Sequence, residues 1–529
     1  MDSLDGLKLK ENSHPTSKGD VPPDPEGSER HFVTGHLLEN LRQLTISSSI
    51  VTMGAQGAMF ILNLGSIMIL ARLLSPHDFG LLAMVTAIMG FLRIFKEAGL
   101  STPTVQREAI THAQVSNLFW MNLCLSTTIG LLVALSAPAI AWFYREPRLT
   151  GITVALSFTF LLEGSVTQHL AILNRQMRFG TLAVIQIVSM IAGVSVGIVM
   201  AWLACGYWSL VALQLTTPTV AFLLIWINSA WFPQLPTRHS GTRSLVTFGA
   251  NLAVSGLIWT LARSVDGVLI GRFFGSNSLG LYSRASILLH RPVEQLLGPI
   301  QSVFLPMFCR IQGEPERYRR VALQVFETVA LISFFFAGLL LALARPLTLF
   351  LLGPNWGEAA PIFSAFAIGS IFLPLSWAST WLFVSQGRGK DWLVANSIVS
   401  VLAICSMVAG LPFGPTGVAF AYSVSGVLVF LPIMYYFSAH TGPVTTSDLW
   451  MATLRHAPVW GAAFGITHLI LASVTMLRPV MQLAISMPVG LIAGAAFIWA
   501  YGPSRRVAIY LFFVLKKQPE RGPNPSKGL

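Results

Sequence analysis

The chain has 529 residues, of which 53% are hydrophobic and 11% charged, against roughly 25% charged in an ordinary soluble domain. Such a composition cannot clothe a globule in polar surface, so a soluble protein is excluded. The 34 Lys and Arg outnumber the 22 Asp and Glu to give +12, a balance that suggests nucleic acid until the charges are mapped onto the chain.

Residues 1–45 are rich in Ser, Pro, Asp, Glu and Lys, with Pro15, Pro22, Pro23 and Pro25 interrupting any helix, so a disordered tail is expected. The tail lacks the apolar core of a cleavable secretory signal, which leaves insertion to the first spanning helix. A spanning helix needs about 20 mostly apolar residues. Fourteen such runs follow, at roughly 46–71, 79–100, 116–143, 150–173, 179–203, 206–230, 245–271, 281–308, 321–344, 355–385, 391–411, 414–438, 456–476 and 480–501. Pro103, Pro138, Pro218, Pro292, Pro299, Pro374 and Pro432 fall in or near these runs and mark kinks that neighbouring helices can absorb.

The first two runs are joined by Ile69-Leu-Ala-Arg-Leu-Leu-Ser-Pro-His-Asp-Phe-Gly-Leu81, and the seventh and eighth by Leu269-Ile-Gly-Arg-Phe-Phe-Gly-Ser-Asn-Ser-Leu-Gly-Leu281. Arg72 matches Arg272, Gly80 matches Gly280 and Leu81 matches Leu281. The same helical hairpin is used twice. At an offset of 210 the loop Asn174–Arg178 lies over Ser385–Arg388, and Gly206-Tyr-Trp-Ser-Leu-Val-Ala212 resembles Gly414-Pro-Thr-Gly-Val-Ala419. The parse is an all-α polytopic membrane protein of about fourteen spans: a first six-helix lobe (46–237), a second (238–440), a final helix pair (441–503) and a basic tail (504–529). An even repeat unit makes the lobes parallel repeats about an axis along the membrane normal, a pattern found among transporters.

Charge orients this array. With both termini cytoplasmic, the inside segments carry twenty-five Lys and Arg and the outside turns six, namely Arg72, Arg145, Arg148, Arg272, Arg345 and Arg478. That bias is what the positive-inside rule requires. The basic balance is therefore topology, and nucleic acid is not an expected partner.

Arg263, Arg284 and Arg291 remain inside spans. Arg263 precedes Arg272 by nine residues and Arg291 follows Gly280 by eleven, so each sits ~14–17 Å from its turn, near mid-membrane. Buried ionisable groups face a partner or a wet cavity and mark function by default. Asp266 and Glu294 lie three residues beyond Arg263 and Arg291, on the same helix faces, so local ion pairing stands beside a cavity role. The counterparts in the first copy are Asn63, Ser66, Phe91 and Ile94, so the scaffold itself does not require these charges. Glu163 in the fourth run is a candidate for ion coupling, as is Asp266; burial of Glu163 as a neutral hydrogen-bonded acid is the alternative. Arg93, Lys96 and Glu97 reach the interface and snorkelling accounts for them.

The four cysteines, Cys124, Cys205, Cys309 and Cys405, sit in separate spans without a CxxC pair, so neither a metal site nor a disulfide frame is expected. There is no P-loop, GxSxG or HExxH. Gly193-Val-Ser-Val-Gly197 is a helix-packing signal, and Trp142, Tyr144, Tyr207 and Trp208 read as interfacial belt residues.

The hairpin Ile69–Gly80, with Gly99-Leu-Ser-Thr-Pro-Thr-Val-Gln-Arg107, Phe119-Trp-Met-Asn122, Phe143-Tyr-Arg-Glu-Pro147 and Gly271–Tyr282, resembles the bacterial polysaccharide transporters. These are the Wzx-type flippases and colanic-acid exporters of the multidrug/oligosaccharidyl-lipid/polysaccharide superfamily. The resemblance spans about residues 45–500 and implies two six-helix lobes in a V about a central cavity, with two further helices. It also implies transport of a lipid-linked oligosaccharide, of the undecaprenyl pyrophosphate type, across the bacterial inner membrane by alternating access, in some members driven by protons or sodium. No catalytic motif, cofactor or metal comes with it. Assigning Arg263, Arg284, Arg291, Asp266 and Glu294 to a substrate cavity is an inference from depth and charge. Two other readings compete: a cation-coupled multidrug or small-molecule antiporter of the same superfamily, which would want uncompensated carboxylates, and a membrane glycan polymerase or ligase, which would want a large outside loop.

Overall fold

The computed structural model describes residues 41–96, 101, 104–105, 107, 110–237 and 243–516, with side chains described from 51 onward except at 93–96, 243–263, 296–300, 302–303 and 510–516. The expected disordered tail therefore lies outside the described residues over 1–40, as do the basic tail beyond 516 and the side chains of Arg93, Lys96, Glu97 and Arg263.

The chain is all-α. Helices α1 (Leu41–Leu73) and α2 (Pro76–Lys96) form the first hairpin, followed by α3 (His112–Tyr144), α4 (Leu149–Arg175), α5 (Phe179–Trp202) and α6 (Trp208–Ser229). The second hairpin is a continuous helical stretch, Arg243–Arg310, broken at Gly275, whose backbone (φ 78°, ψ −177°) is left-handed. Only glycine adopts that conformation without strain. We number its arms α7 (243–274) and α8 (276–310). Then come α9 (Pro315–Ala342), the short α10 (Ala344–Leu352), α11 (Ala359–Gly369), α12 (Phe372–Ser385), α13 (Gly389–Gly410), α14 (Gly414–Ser425), α15 (Leu431–Ala439), α16 (Thr446–Leu454), α17 (Ala457–Ser473), α18 (Pro479–Ala500) and α19 (Gly502–Lys516).

Among the described residues nine helical stretches are long and apolar enough to cross a membrane. These stretches hold ten of the fourteen expected runs, because Gly389–Ala439 contains two, while Pro76–Leu92 is a shorter apolar helix and the runs at 245–271, 281–308 and 456–476 are not among the nine. Within Gly389–Ala439, the segment Gly426–Phe430 widens to a π-turn just ahead of Pro432, whose ring cannot donate to or pass the preceding turn. Leu131, Leu132 and Leu135 on α3, Leu469 on α17 and Ile492 on α18 are all more than half exposed, an arrangement stable only against lipid.

Three details fix how the helices pack within each copy and how the copies meet. Within the first copy, α5 rides on α6 at Gly193 and Gly197, where an added Cβ would stand 2.0 Å from Thr217 Oγ1 and 3.1 Å from the Leu213 side chain respectively. The loops after α4 and α12 make the same contact at an offset of 210. Arg178 Nη1 donates to the Asn228 carbonyl at 2.8 Å, and Arg388 Nη1 to the Ser438 carbonyl at 2.8 Å. The preceding residues, Met177 and Gly387, share positive φ values of 53° and 68°.

The third contact joins the two hairpins. A Cβ on Gly80 would lie 1.7 Å from the Ser276 carbonyl oxygen, and one on Gly280 would lie 1.8 Å from that of Pro76. The offset of 200 that pairs the glycines also pairs Pro76 with Ser276, so the turns clasp each other reciprocally. His77 completes the clasp: its Nδ1–H donates to Ser276 Oγ (2.5 Å), while Nε2 accepts from Arg148 (3.0 Å). A core cluster beneath it joins Leu70, Phe79 and Leu81 to Ile270, Leu279, Leu281, Trp356 and Phe366. The two copies thus share one core at the hairpin end.

Candidate functional site

A cavity of about 590 Å³ opens within the second copy. One wall is a stripe of α8 at Tyr282, Ser286, His290 and Glu294, residues four apart and so on one face, with Arg291 beside it. Asp266 enters from α7, and the far walls are Phe366 on α11, Trp377 and Trp381 on α12, Trp392 and Asn396 on α13 and Tyr422 on α14. The wall is thus part charged and part aromatic, a lining suited to a ligand with an ionic head and a flat polar body.

Three of the five predicted cavity residues, Asp266, Arg291 and Glu294, line this space. Asp266 Oδ2 accepts from the Tyr282 hydroxyl (3.1 Å) and Oδ1 from the Gly267 amide (2.7 Å). The tyrosine ties the two arms of the hairpin together at the cavity wall. Arg291 is exposed, and among the described residues no ion pair joins it to Glu294, although the spacing of three permits one. His290 holds its ring by donating Nδ1–H to the Ser286 carbonyl (2.9 Å), with an edge contact to Phe366 (ring centroids 5.3 Å apart). The side chain of Arg263 is outside the described residues.

Arg284 goes elsewhere. Its guanidinium lies over the ring of Phe79 at 4.8 Å, and its Nε is buried without a hydrogen bond. Seven residues bring it to the same side of α8 as Arg291 but also move it about 10 Å along the axis, to the level where α2 presents Phe79. Glu163 is remote from all of these. It lines a separate pocket of about 180 Å³ in the first copy with Gln186, Pro218 and Ile225. One and a half turns on, His169 is fully buried against Trp226 (4.4 Å) and Trp231 (5.0 Å).

Belt assignments divide as well. Trp142 is 82% exposed, as an interfacial residue should be. Tyr144 is instead buried, and its ring carbon would lie 2.8 Å from a Cβ on Gly271; it is a contact between the copies. Sequence reasoning passed over His290 and the tryptophans of α12 and α13. The spacing of four between Trp377 and Trp381 shows a shared face, yet nothing in one sequence says that the face lines a cavity. All four cysteines are exposed, and among the described residues no three His, Cys, Asp or Glu side chains are grouped to hold a metal.

Residues 69–361 match the family model described as a polysaccharide biosynthesis protein. The chain is 25% identical over 437 residues to the teichuronic acid biosynthesis protein TuaB of Bacillus subtilis (strain 168), covering 81% of this chain and 86% of that one. It is 27% identical to the succinoglycan biosynthesis transport protein ExoT of Rhizobium meliloti (strain 1021), covering 63% and 68%. With the lipopolysaccharide biosynthesis protein WzxC of Escherichia coli (strain K12) it shares 22% identity over 70% and 76%. Among solved structures, the inward closed conformation of the lipid II flippase MurJ superposes with a TM-score of 0.67 at 15% identity, over 86% of this chain and 99% of that one. An inward-facing multidrug resistance MATE transporter superposes at 0.52 and 14%, over 78% and 98%. At such identities these two likenesses are of fold.

Proposed function

This chain belongs to the polysaccharide biosynthesis protein family, and on that premise we propose that it is a flippase, moving a lipid-linked oligosaccharide across the bacterial inner membrane by alternating access. The observation that carries the reading is the composition of the 590 Å³ cavity, where Arg291 and His290 stand opposite Trp377, Trp381 and Trp392. A phosphate or diphosphate cannot enter hydrocarbon bare. A guanidinium can replace part of its hydration, and indole faces suit the apolar faces of sugar rings while the prenyl tail stays in lipid. Rocking of the two copies about their shared hairpin core would expose the cavity to each side in turn. No covalent step is needed.

In this reading the carrier is a polyprenyl diphosphate of the undecaprenyl type, both termini are cytoplasmic, and Arg291 holds the diphosphate. Glu163 and Asp266 are the groups through which protons or sodium would couple. Arg284, sandwiched against Phe79, serves the hairpin core instead. The antiporter reading draws on Asp266 and Glu294, carboxylates in the same cavity.

The test is reconstitution in liposomes with a pyrophosphate-linked oligosaccharide, following its exchange between leaflets. Arg291→Ala should slow exchange by about tenfold or more, the loss of a charge-assisted bidentate contact. Unchanged exchange removes Arg291 from the site. Efflux of a cationic dye without exchange of any lipid-linked sugar establishes the antiporter. Glu163→Gln should abolish a response to a pH gradient if that residue couples protons, and a retained response rejects it.

A further inference from the structure

The two hairpins are related by an offset of 200, and so are their arginines: Arg72 with Arg272 on the hairpins, Arg145 with Arg345 on the facing turns. Each hairpin arginine reaches across to the opposite copy. Their fates differ. Arg72 Nη2 donates to the Phe350 carbonyl at 2.9 Å, and beside it the buried Trp356 donates Nε1–H to the Ala71 carbonyl at 2.8 Å and sets its edge on Phe79. Arg72 is thus satisfied internally, while Arg345 is exposed, and the groove next to Arg72 is otherwise lined by Gly65, Met68, Ile69 and Leu73.

At the other junction the counterpart of Arg72 is left open. Arg272 stacks over Phe143, its guanidinium carbon 5.7 Å from the ring centroid, and faces a cleft of about 610 Å³ shared with Trp142, Arg145, Glu146 and Thr150. Among the described residues neither the Arg145 nor the Arg272 guanidinium has a hydrogen-bond acceptor or an ionic partner. The carboxylate in the lining, Glu146, faces Arg148 at 3.7 Å. Two guanidinium forks therefore share a cleft with their donors unused, a donor set that matches a phosphate bidentately. Leading away from the cleft along α3 is an exposed apolar strip, Leu131, Leu135, Pro138 and Trp142. Their spacing of four, three and four keeps them on one helix face for about 16 Å, the right form to lie along a lipid chain whose headgroup is in the cleft.

We propose that this cleft is a binding site for a lipid-borne phosphate, with Arg145 and Arg272 as its ligands and the α3 strip as the track for the chain. The inference rests on the flippase reading for its purpose: under the charge-based orientation the cleft lies at the outer face, where a delivered headgroup would pause before leaving. The ligand chemistry itself, a phosphate ester at the membrane surface, is shared by the carrier lipid and by anionic phospholipid.

The experiment places a photo-crosslinking phenylalanine at Trp142 in the full chain, in phosphatidylcholine vesicles doped with either a polyprenyl diphosphate oligosaccharide or phosphatidylglycerol, with inorganic phosphate as competitor. Crosslinking should fall by about tenfold in the double variant Arg145→Gln/Arg272→Gln, as expected for losing two charge-assisted contacts, and far less in Arg72→Gln. A fall confined to the diphosphate identifies the carrier, a fall confined to phosphatidylglycerol identifies a resident phospholipid, and suppression by inorganic phosphate shows that the phosphate alone is recognised. Crosslinking of both lipids unchanged in the double variant overturns the site, and so does an equal loss in Arg72→Gln. The lysine pair Arg145→Lys/Arg272→Lys, which keeps charge without the fork, should retain part of the yield, and equal thermal unfolding of the glutamine pair and wild type excludes misfolding as the cause of its loss. Because crosslinking is read without transport, vesicles that exchange no lipid yet crosslink in an arginine-dependent way would reject the flippase and keep the cleft.

Discussion

Gly80→Ala is the smallest perturbation of the clasp between the hairpins. Its new methyl carbon would stand 1.7 Å from the Ser276 carbonyl oxygen and 2.4 Å from the carbonyl carbon, well inside van der Waals contact. Both atoms are backbone, so no side chain can turn aside and the two turns must part by more than an ångström. Overpacking of this kind costs about 1–3 kcal/mol. A cost of about 2 kcal/mol, felt only where the turns touch, shifts the balance toward a parted state by roughly thirtyfold. Parting also breaks the His77–Ser276 hydrogen bond. The assay is pulsed electron spin resonance between labels at Leu73 and Phe273, exposed positions on the two hairpins, in a background lacking the four exposed cysteines. The expected result is a second, longer distance in Gly80→Ala and, by the reciprocity of the contact, the same in Gly280→Ala. An unaltered distance distribution, in protein of unaltered thermal stability, would show that the turns accommodate the methyl and that the clasp holds nothing shut.

Two further predictions concern stability. Arg319 holds Asp448 with Nε to Oδ2 at 2.8 Å and Nη2 to Oδ1 at 2.7 Å, and the Thr445 amide and hydroxyl cap the same helix end. Hydrogen bonding from Arg319, more than anything else, holds the Asp448 carboxyl well below the usual carboxylate range. A depressed folded value means that the contribution is complete above about pH 4 and is lost as pH falls through the lowered value. Since Arg319 is half exposed, solvent screening keeps this contribution small. Thermal unfolding in detergent should therefore show wild type above Asp448→Asn at pH 7 and the gap closing below pH 4; a gap independent of pH contradicts the pairing. Arg388→Ala should cost about 3 kcal/mol and Arg178→Ala under about 1 kcal/mol, because Arg388 donates to the carbonyls of Phe437, Ser438 and Thr441 and to Asp391 whereas, among the described residues, Arg178 donates to the Asn228 carbonyl alone. Equal losses in denaturant unfolding would show that the shared loop geometry, and not the arginine, carries the stability.

The hairpins were legible because what makes them is local: an apolar run, a polar turn and an apolar run, with glycine where the backbones meet. The depth of Arg291 was legible for the same reason, since rise per residue converts spacing to distance. Its neighbourhood was not. Arg284 and Arg291 are alike in type and side of the helix, yet the first is taken by Phe79 from a helix two hundred residues away and the second faces the cavity. The i,i+3 rule allows Arg291 to meet Glu294, but the guanidinium is exposed in the cavity, where an ion pair returns little for the side-chain order it costs. Tyr144 shows the same limit from the other direction: its position beside Trp142 marks an interface, while its burial depends on Gly271 leaving room. The repeat, read from sequence alone, implies two equivalent arginine junctions. Only the opposing surfaces reveal that Arg72 is closed off by Phe350 while Arg272 faces an open cleft, a difference that the matched sequence of the two hairpins does not contain.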